Sequence, residues 1–231
     1  MITIKSLSKK YGSFLALNQV SCTFNDETVT ALMGANGAGK STLLKICAGV
    51  LPYENGHVIV DDNNLKNNPE KVRKTIGYLP EMPYLYDRLS GREFLRYIGS
   101  LRRLQNTDDE IESFADLLGI SKALDQEING YSKGMKQKIS MIAALFHHPQ
   151  HLLLDEPVWG LDPLTARTLE QFILNQRGTT VIATHSGSLV EKVADFVYFL
   201  SEGIIVSAES LTDVLSTYGT VEEAYFSITG T

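Results

Sequence analysis

The sequence has few cysteines and no long apolar run. Its 231 residues include two cysteines, Cys22 and Cys47, which lie far apart and belong to no C-x-x-C pair. Neither a disulfide framework nor a zinc site is therefore predicted. No apolar run approaches the roughly 20 residues that span a bilayer, and no basic leader with an apolar core opens the chain. We expect a soluble, cytoplasmic protein with reduced thiols.

Basic clusters and internal repeats are also missing. The formal net charge is −6, and no block of the sequence is rich in lysine and arginine. Nucleic acid is therefore not expected as the main partner. Without a repeat of fixed period, a chain of this length is predicted to form one domain, or one domain carrying an inserted subdomain.

What the sequence does have is a glycine-rich stretch, GANGAGKST, at residues 34–42, which fits the pattern G-x-x-x-x-G-K-[ST]. Its three glycines allow a tight turn in which backbone N–H groups converge on phosphate oxygens. Lys40 is predicted to reach the β- and γ-phosphates of a nucleotide, and the Ser41 hydroxyl to bind Mg²⁺. The candidate nucleotide ligands are Gly34, Ala35, Asn36, Gly37, Ala38, Gly39, Lys40, Ser41 and Thr42.

The segments on either side of this stretch supply the context that the pattern requires. Residues 28–33 are apolar and β-branched, which predicts a strand, and apolar residues then recur at helical spacing until Gly49 and Pro52. A strand before the loop and a helix after it favour a phosphate loop. The plainer alternative is a chance glycine turn before an amphipathic helix.

Strand patterns continue along the chain. Residues 1–24 alternate apolar and polar side chains around Tyr11-Gly12, which predicts two antiparallel strands joined by a turn. Further strands are predicted at residues 56–60, 75–79, 152–156, 179–184, 195–200 and 204–207, the last two forming a hairpin.

The stretch at residues 89–146 is predicted to be helical. Within it, Ser90 with Glu93 and Thr107 with Glu110 have the spacing of capping boxes. Proline after an aspartate predicts another helix start at residues 162–163, and two short capped helices are predicted to end the chain.

Two adjacent carboxylates, Asp155 and Glu156, end the predicted strand at residues 152–156. Ligands of α/β sheets sit at the carboxyl ends of strands, so these acids are predicted to face the phosphates. Asp155 suits Mg²⁺, and Glu156 is a candidate base for the attacking water. His185 follows the next predicted strand and is a candidate hydrogen-bond partner of a γ-phosphate, although a single histidine is more often structural.

Two further candidates have alternatives that the sequence leaves open. Tyr11 precedes the phosphate loop, where its ring is placed to stack on adenine or simply to pack at a turn. Ser132 and Gly134 lie at the polar start of a predicted helix, where they form either a second anion site or an ordinary helix cap.

Taken together, these motifs resemble the nucleotide-binding subunit of ATP-binding cassette (ABC) transporters from Tyr11 to the final helix. The motifs occur in family order: the phosphate loop at 34–42, Leu79-Pro80-Glu81 in place of the Q-loop, a signature-like segment at 131–135, Walker B at 152–156, the D-loop at Leu161-Asp162 and the switch histidine at His185. The finer resemblance, carried by the segments YLPE and YSKGM, is to single-cassette ATPases of bacterial exporters of drugs, antibiotic peptides or polysaccharides.

The resemblance implies an α/β fold, with a P-loop NTPase core whose mostly parallel sheet has helices on both sides. An antiparallel β-subdomain at the N-terminus and an inserted α-helical subdomain complete it. The implied division is a single ABC ATPase domain over residues 1–231. Its parts are the ATP-binding core at 1–82 and 150–207, the helical subdomain with the signature motif at 83–149, and a C-terminal helical tail at 208–231.

The resemblance also implies roles for single residues. It assigns the phosphates to residues 34–42 and adenine to Tyr11. Ser41 and Asp155 are assigned to Mg²⁺. Glu156 is the implied general base, His185 the sensor of the γ-phosphate, and Glu81 the catalytic residue of the Q-loop. Ser132 and Gly134 are implied to bind the γ-phosphate held by a second copy.

Two departures from the family pattern affect these roles. The LSGGQ signature appears as YSKGM, which keeps the serine and the second glycine. The usual Q-loop glutamine is Glu81, whose ionised carboxylate accepts hydrogen bonds but cannot donate them.

The implied function is ATP hydrolysis with Mg²⁺ at two composite sites of a head-to-tail homodimer. ATP-driven closure of this dimer would power export through a separate membrane permease, with the ATPase peripheral on the inner face of the bacterial cell membrane and no nucleic acid as partner. The alternative is a soluble ABC-type ATPase that acts on ribosomes or DNA, or as a regulatory nucleotide switch, without a permease. Retention of Glu156 and His185 argues against a switch that never hydrolyses ATP.

Overall fold

Two β-sheets organise the computed structural model of the chain, which describes residues 1–230. In chain order the strands are β1 (Ile2–Tyr11), β2 (Phe14–Phe24), β3 (Val29–Met33), β4 (Asn55–Val60), β5 (Asn63–Asn64), β6 (Ile76–Leu79), β7 (His151–Asp155), β8 (Thr179–Ala183), β9 (Phe196–Ser201) and β10 (Ile204–Ser210). The first sheet has the order β2-β1-β4-β5 and is antiparallel throughout. The second has the order β10-β9-β3-β8-β7-β6 and is parallel except for β10 at its edge. The predicted fold class is confirmed.

Nine α-helices connect and cover these strands within residues 1–230. They are α1 (Lys40–Cys47), α2 (Pro69–Thr75), α3 (Gly91–Leu101), α4 (Asp108–Leu117), α5 (Lys133–Leu145), α6 (Pro163–Asn175), α7 (Gly187–Val193), α8 (Leu211–Tyr218) and α9 (Val221–Thr229). Two short 3-10 turns, Ser121–Ala123 and Ile128–Gly130, lie between α4 and α5. No helix in this part of the chain combines the length and the hydropathy needed to cross a membrane. The subdomain boundaries inferred from the sequence stay a prediction.

Alternating side chains of β7 pack against different helices. Leu152 and Leu154 belong to a cluster that includes Ile139 of α5, whereas Leu153 packs in another cluster with Leu43 of α1. Successive residues of a strand point to opposite faces, so one apolar strand serves two layers. All five residues of β7 are buried, as expected for a parallel strand covered on both sides. This packing holds α1, and the loop before it, at the carboxyl ends of β3 and β7.

The predicted capping boxes have different outcomes. At Ser90 the box is confirmed, because the hydroxyl accepts from the Glu93 N–H while the Glu93 carboxylate accepts from the Ser90 N–H. The box at Thr107 was wrong, since its side chain makes no capping hydrogen bond. Thr107 has helical backbone angles, φ −76° and ψ −11°, so it does not present its hydroxyl as an extended cap residue does. Three acidic residues in the first turn of α4 stabilise the start of that helix instead, because their negative charges interact with the positive end of the helix dipole.

Candidate nucleotide-binding site

A cleft of about 470 Å³ opens at the carboxyl ends of the parallel strands. Its walls bring together most of the predicted site: Tyr11, seven residues of the 34–42 loop, Glu81, Glu156 and His185. Gly34 and Ala38 are buried and lie behind the loop surface, outside the lining. Residues that are distant in the chain therefore meet in one place.

Two glycines give the loop its shape. Gly37 and Gly39 have φ angles of 84° and 109°, in the left-handed region that favours glycine. At Gly39 a Cβ atom would also lie 2.6 Å from the Ala16 carbonyl oxygen, so any side chain would force the loop away from β2. Helix α1 starts directly after Gly39 without a capping side chain, which leaves its first N–H groups free for an anion.

Lys40 is buried behind the loop, and its ammonium group donates to two backbone carbonyls. The Nζ atom lies 2.6 Å from the Gly34 oxygen and 3.2 Å from the Ala35 oxygen. Burial lowers the pKa of Lys40, while the nearby carboxylates of Glu156, Asp155 and Glu81 oppose that shift. The loop thus contains a positive charge that is poorly solvated and is suited to bind phosphate.

Ser41 lines the cleft and is paired with Asp155, which is buried outside the lining, and together they offer two oxygen ligands. The Ser41 hydroxyl donates to Asp155 Oδ1 over 3.0 Å, and the other carboxylate oxygen, Oδ2, is buried without a hydrogen-bond partner among residues 1–230. Burial raises the pKa of Asp155 to about 6, although the bond from Ser41 acts in the opposite direction. Oxygen ligands and an uncompensated buried carboxylate fit Mg²⁺, a hard cation that would supply the missing positive charge.

Glu156 lies at a strained position immediately after β7. Its φ of 47° is uncommon for a residue with a side chain, and its N–H donates to the Ala183 carbonyl over 2.8 Å. Both carboxylate oxygens have partners: Oε2 accepts from the Thr184 hydroxyl at 3.0 Å, and Oε1 lies 2.8 Å from His185 Nδ1. These contacts fix the carboxylate beside the cleft, in a position suited to a general base.

His185 sits where β8 ends, as predicted, with a side chain 66% exposed. Its ring lines the cleft as well as a smaller cavity of about 230 Å³ beside α9. The imidazole therefore faces both Glu156 and the open space in front of the phosphate loop, where a γ-phosphate would lie.

Two aromatic residues of the cleft wall were not predicted from the sequence. Phe14 is the cross-strand partner of Tyr11 in the hairpin of β1 and β2, and both rings are exposed to the cleft. The predicted turn at Tyr11-Gly12 already implied this pairing, so hairpin register would have identified Phe14. Trp159, the one tryptophan of the chain, also lines the cleft. Its position three residues after Glu156 was the available signal.

The structure does not bring Ser132 and Gly134 into this cleft. Ser132 precedes α5, and its hydroxyl accepts from the Met135 N–H over 3.2 Å, as in an ordinary helix cap. Both residues remain accessible at the start of that helix. The signature-like segment and the phosphate loop are therefore separate surfaces of the same chain.

Comparison with known proteins gives consistent matches. Residues 17–159 match the family described as ABC transporter. The chain is 34% identical over 209 residues to the uncharacterized ABC transporter ATP-binding protein YxlF of Bacillus subtilis, covering 89% of this chain and 69% of the relative. It is also 34% identical over 209 residues to the lantibiotic transport ATP-binding protein SrtF of Streptococcus pyogenes, with 89% of each covered.

A solved structure of the ATP-binding subunit of an ABC transporter superposes on the chain with a TM-score of 0.91 and 28% identity, over 99% of both chains. The fold, the cleft and these relatives agree with one another. The chain belongs to the ABC transporter family, as an ATP-binding subunit that binds ATP with Mg²⁺ and hydrolyses it.

Proposed function

We propose that the chain drives export of a substrate through a separate membrane permease, working as a head-to-tail homodimer that ATP closes and hydrolysis opens. The observation that carries this proposal is the separation of the two phosphate-binding surfaces. A nucleotide in the cleft contacts the loop at residues 34–42, whereas Ser132 and Gly134 lie outside that cleft. Each surface completes a site only with a second copy.

A two-fold symmetric dimer gives both surfaces their counterparts at once. In a head-to-tail pair the start of α5 of each copy faces the cleft of the other, and one operation creates two identical sites. The N-terminus of α5 offers free N–H groups, and Ser132 adds a hydroxyl. ATP then acts as a ligand of the closed dimer, and loss of its γ-phosphate removes part of what holds the copies together.

Each functional residue of the site has its own role in binding or hydrolysis of ATP. Lys40 and the loop N–H groups bind the phosphates, and Ser41 with Asp155 would hold Mg²⁺, which neutralises phosphate charge when bound. Glu156 accepts the proton of the attacking water. His185, in contact with Glu156, hydrogen-bonds the γ-phosphate. Tyr11 stacks on the adenine ring.

A second groove of the surface is suited to the permease. It has a volume of about 530 Å³, lies between α2, β6 and α3, and has the exposed side chains of Val50 and Leu101 in its wall. Its charged lining residues are the basic Arg73, Lys74, Arg102 and Arg103 and the acidic Glu70. An apolar segment of a membrane protein that carries acidic residues matches this surface.

The segment after β6 connects this groove to the nucleotide. Tyr78 lines the groove, and Glu81, three residues later, lines the cleft. Met82 and Tyr84 follow and are 65% and 72% exposed, so two large side chains with apolar surface lie close together on this segment. Movement of this segment would transmit the state of the nucleotide to the docked protein. Docking there would hold the ATPase on the inner face of the cell membrane.

Two observations support export as the direction of transport. The YLPE and YSKGM segments resemble those of exporter ATPases, and the relative SrtF is named for lantibiotic transport. The substrate itself is selected by the permease.

The test is co-purification with the membrane protein encoded beside this gene, expected to have about six apolar spans of roughly 20 residues. Wild-type chain should co-purify and show ATPase activity that responds to the permease. Leu101→Asp, at a groove residue that is 62% exposed, should abolish co-purification while leaving the ATPase activity of the isolated chain unchanged. Leu174→Asp is the matched control, because Leu174 is 60% exposed on α6, away from the groove. Co-purification that survives Leu101→Asp would contradict the docking surface, and activity with ribosomes alone would favour the soluble alternative.

A further inference from the structure

Trp159 contacts two functional parts of the molecule at the same time. Its ring lines the nucleotide cleft and is 44% exposed. The ammonium group of Lys133, the first residue of α5, lies 2.7 Å from the centroid of that ring. One side chain thus links the cleft of the chain to the helix start that carries Ser132.

The turn that carries Trp159, together with the residues that follow it, is joined to α5 at four points. Besides the cation–π contact, the stem of Lys133 packs beside Gly160, whose φ is 76°. A Cβ atom on Gly134 would lie 3.2 Å from the Gly160 carbonyl oxygen, so glycine at this position allows close backbone approach. Further along the helix, the Lys138 ammonium pairs with Asp162 at 3.2 Å.

The same turn begins at the proposed general base. The Trp159 N–H donates to the Glu156 carbonyl over 3.1 Å, so the two residues belong to one hydrogen-bonded turn. A change at the reacting end of the cleft therefore reaches Trp159 within one turn of backbone, and Lys133 through a single contact. The path is short and made of packed groups.

We infer that Trp159 is a positioning residue that couples the two nucleotide sites of the dimer by setting the position of Lys133. This inference rests on the proposed head-to-tail dimer. In that dimer Trp159 faces the nucleotide of its own chain, while Lys133, next to Ser132, faces the γ-phosphate of the other copy. ATP in one cleft changes the contacts of the indole ring, shifts the ammonium group, and so changes how tightly the second site closes on its ATP. Coupling of this kind is reciprocal, so the two sites bind ATP cooperatively.

The chain provides its own probe, because Trp159 is its one tryptophan. Intrinsic emission should change when MgADP fills the cleft of dilute, monomeric protein, and Lys133→Met should alter the emission of the nucleotide-free chain by removing the cation from the ring. In ATPase assays against ATP concentration, the wild type should give a Hill coefficient above 1. Lys133→Met and Trp159→Leu should each reduce it to 1 and raise the half-saturating ATP concentration by at least about threefold, the scale of a cation–π contact.

Conservative variants separate this role from a structural one. Lys133→Arg keeps the cation, and Trp159→Phe keeps an aromatic face, so both should restore cooperativity in large part. Lys136→Met is the control for loss of a positive charge on the same helix, because Lys136 pairs instead with Asp87 at 2.9 Å. Its Hill coefficient should equal that of the wild type.

Several results would overturn the inference. They are a wild-type Hill coefficient of 1, a Trp159→Leu protein with wild-type cooperativity, or an emission spectrum that Lys133→Met leaves unchanged. If Trp159→Leu does not fold, as judged by MgADP binding, Lys133→Met alone decides. A protein that never dimerises with ATP, either alone or with its permease, contradicts the proposed function, whereas an ATP-dependent dimer without cooperativity contradicts the coupling role alone.

Discussion

The phosphate loop and the start of α5 both face phosphate in the proposed dimer, yet the chain organises them very differently. In the loop region Lys40, Asp155 and Glu156 are buried. Asp155 and Glu156 accept hydrogen bonds from distant segments, and Lys40 donates to carbonyls of the loop itself. At α5, Ser132 is exposed and makes one local capping bond. Folding of one chain thus completes the first surface, whereas the second is only prepared for a partner.

The difference has a physical reason. Charges held away from water in fixed positions stabilise a transition state without reorganisation, and such positions require many intramolecular contacts. A surface that must open and close in every cycle cannot be buried permanently. We therefore expect substitutions in the loop region to impair single-chain properties, and substitutions at α5 to impair only properties of the dimer.

The largest effect is expected from Lys40→Ala, which removes the buried cation from the loop. Charge-assisted hydrogen bonds contribute about 1.5–3 kcal/mol each, so MgATP affinity should fall about 10- to 100-fold. ATP turnover should be lost. Equilibrium binding of a fluorescent ATP analogue measures the affinity, and Lys122→Ala, an exposed lysine far from the cleft, is the control. Wild-type hydrolysis by the Lys40 variant would contradict the assignment of the loop.

Glu156→Gln should separate binding from chemistry within the same region. Glutamine keeps the size of the side chain and an acceptor for the Thr184 hydroxyl, so the cleft should retain MgATP. Loss of a general base slows reactions about 100-fold or more, which phosphate release in single-turnover assays would detect. Turnover within a factor of a few of the wild type would instead assign the base to another residue, with Glu81 the next candidate.

Ser132→Arg should affect the second surface while sparing the first. Made in the Glu156→Gln chain, it should leave ATP binding by each monomer intact, because Ser132 lies outside the cleft. The Glu156→Gln chain alone should double its mass by light scattering when MgATP is added, and the added arginine should remove that shift. Transport is the decisive readout, because it includes any dimer that closes only on the permease: normal coupled transport by Ser132→Arg would refute the composite site.

The phosphate-loop surface was also the part that sequence could predict. Its motif depends on residues that are adjacent in the chain, and the strand expected at residues 28–33 is found at Val29–Met33. The positions of Asp155 and Glu156 could also be predicted, because the carboxyl ends of parallel strands lie at the same edge of a sheet. The order of motifs indicated the family, and with it the fold.

Other features depend on contacts that the sequence does not reveal. Helices α2 and α7 have seven residues each, too short for a clear period, and were not predicted. The contact of Lys133 with Trp159 joins residues 26 positions apart through tertiary packing. Neither local propensity nor hydrophobic pattern contains that information.

The smallest effect is expected from Glu81→Gln, at the cleft residue that would connect to the proposed permease groove. Glu81 adds negative charge near Asp155 and contributes to raising the pKa of that carboxyl group. Glutamine removes this repulsion and restores a donor, so MgATP affinity should be unchanged or slightly higher and turnover should stay within about threefold, the scale of a single exposed charge. Glu81→Ala, which leaves neither donor nor acceptor, should reduce permease-stimulated ATPase activity more than basal activity. These assays compare isolated and permease-bound chain at saturating MgATP. If Glu81→Gln abolished hydrolysis and transport while affinity held, the carboxylate itself would be required. The cleft would then contain a second acid essential to the chemistry besides Glu156. Glu81 would belong, with Asp155 and Glu156, to the surface that folding of one chain completes.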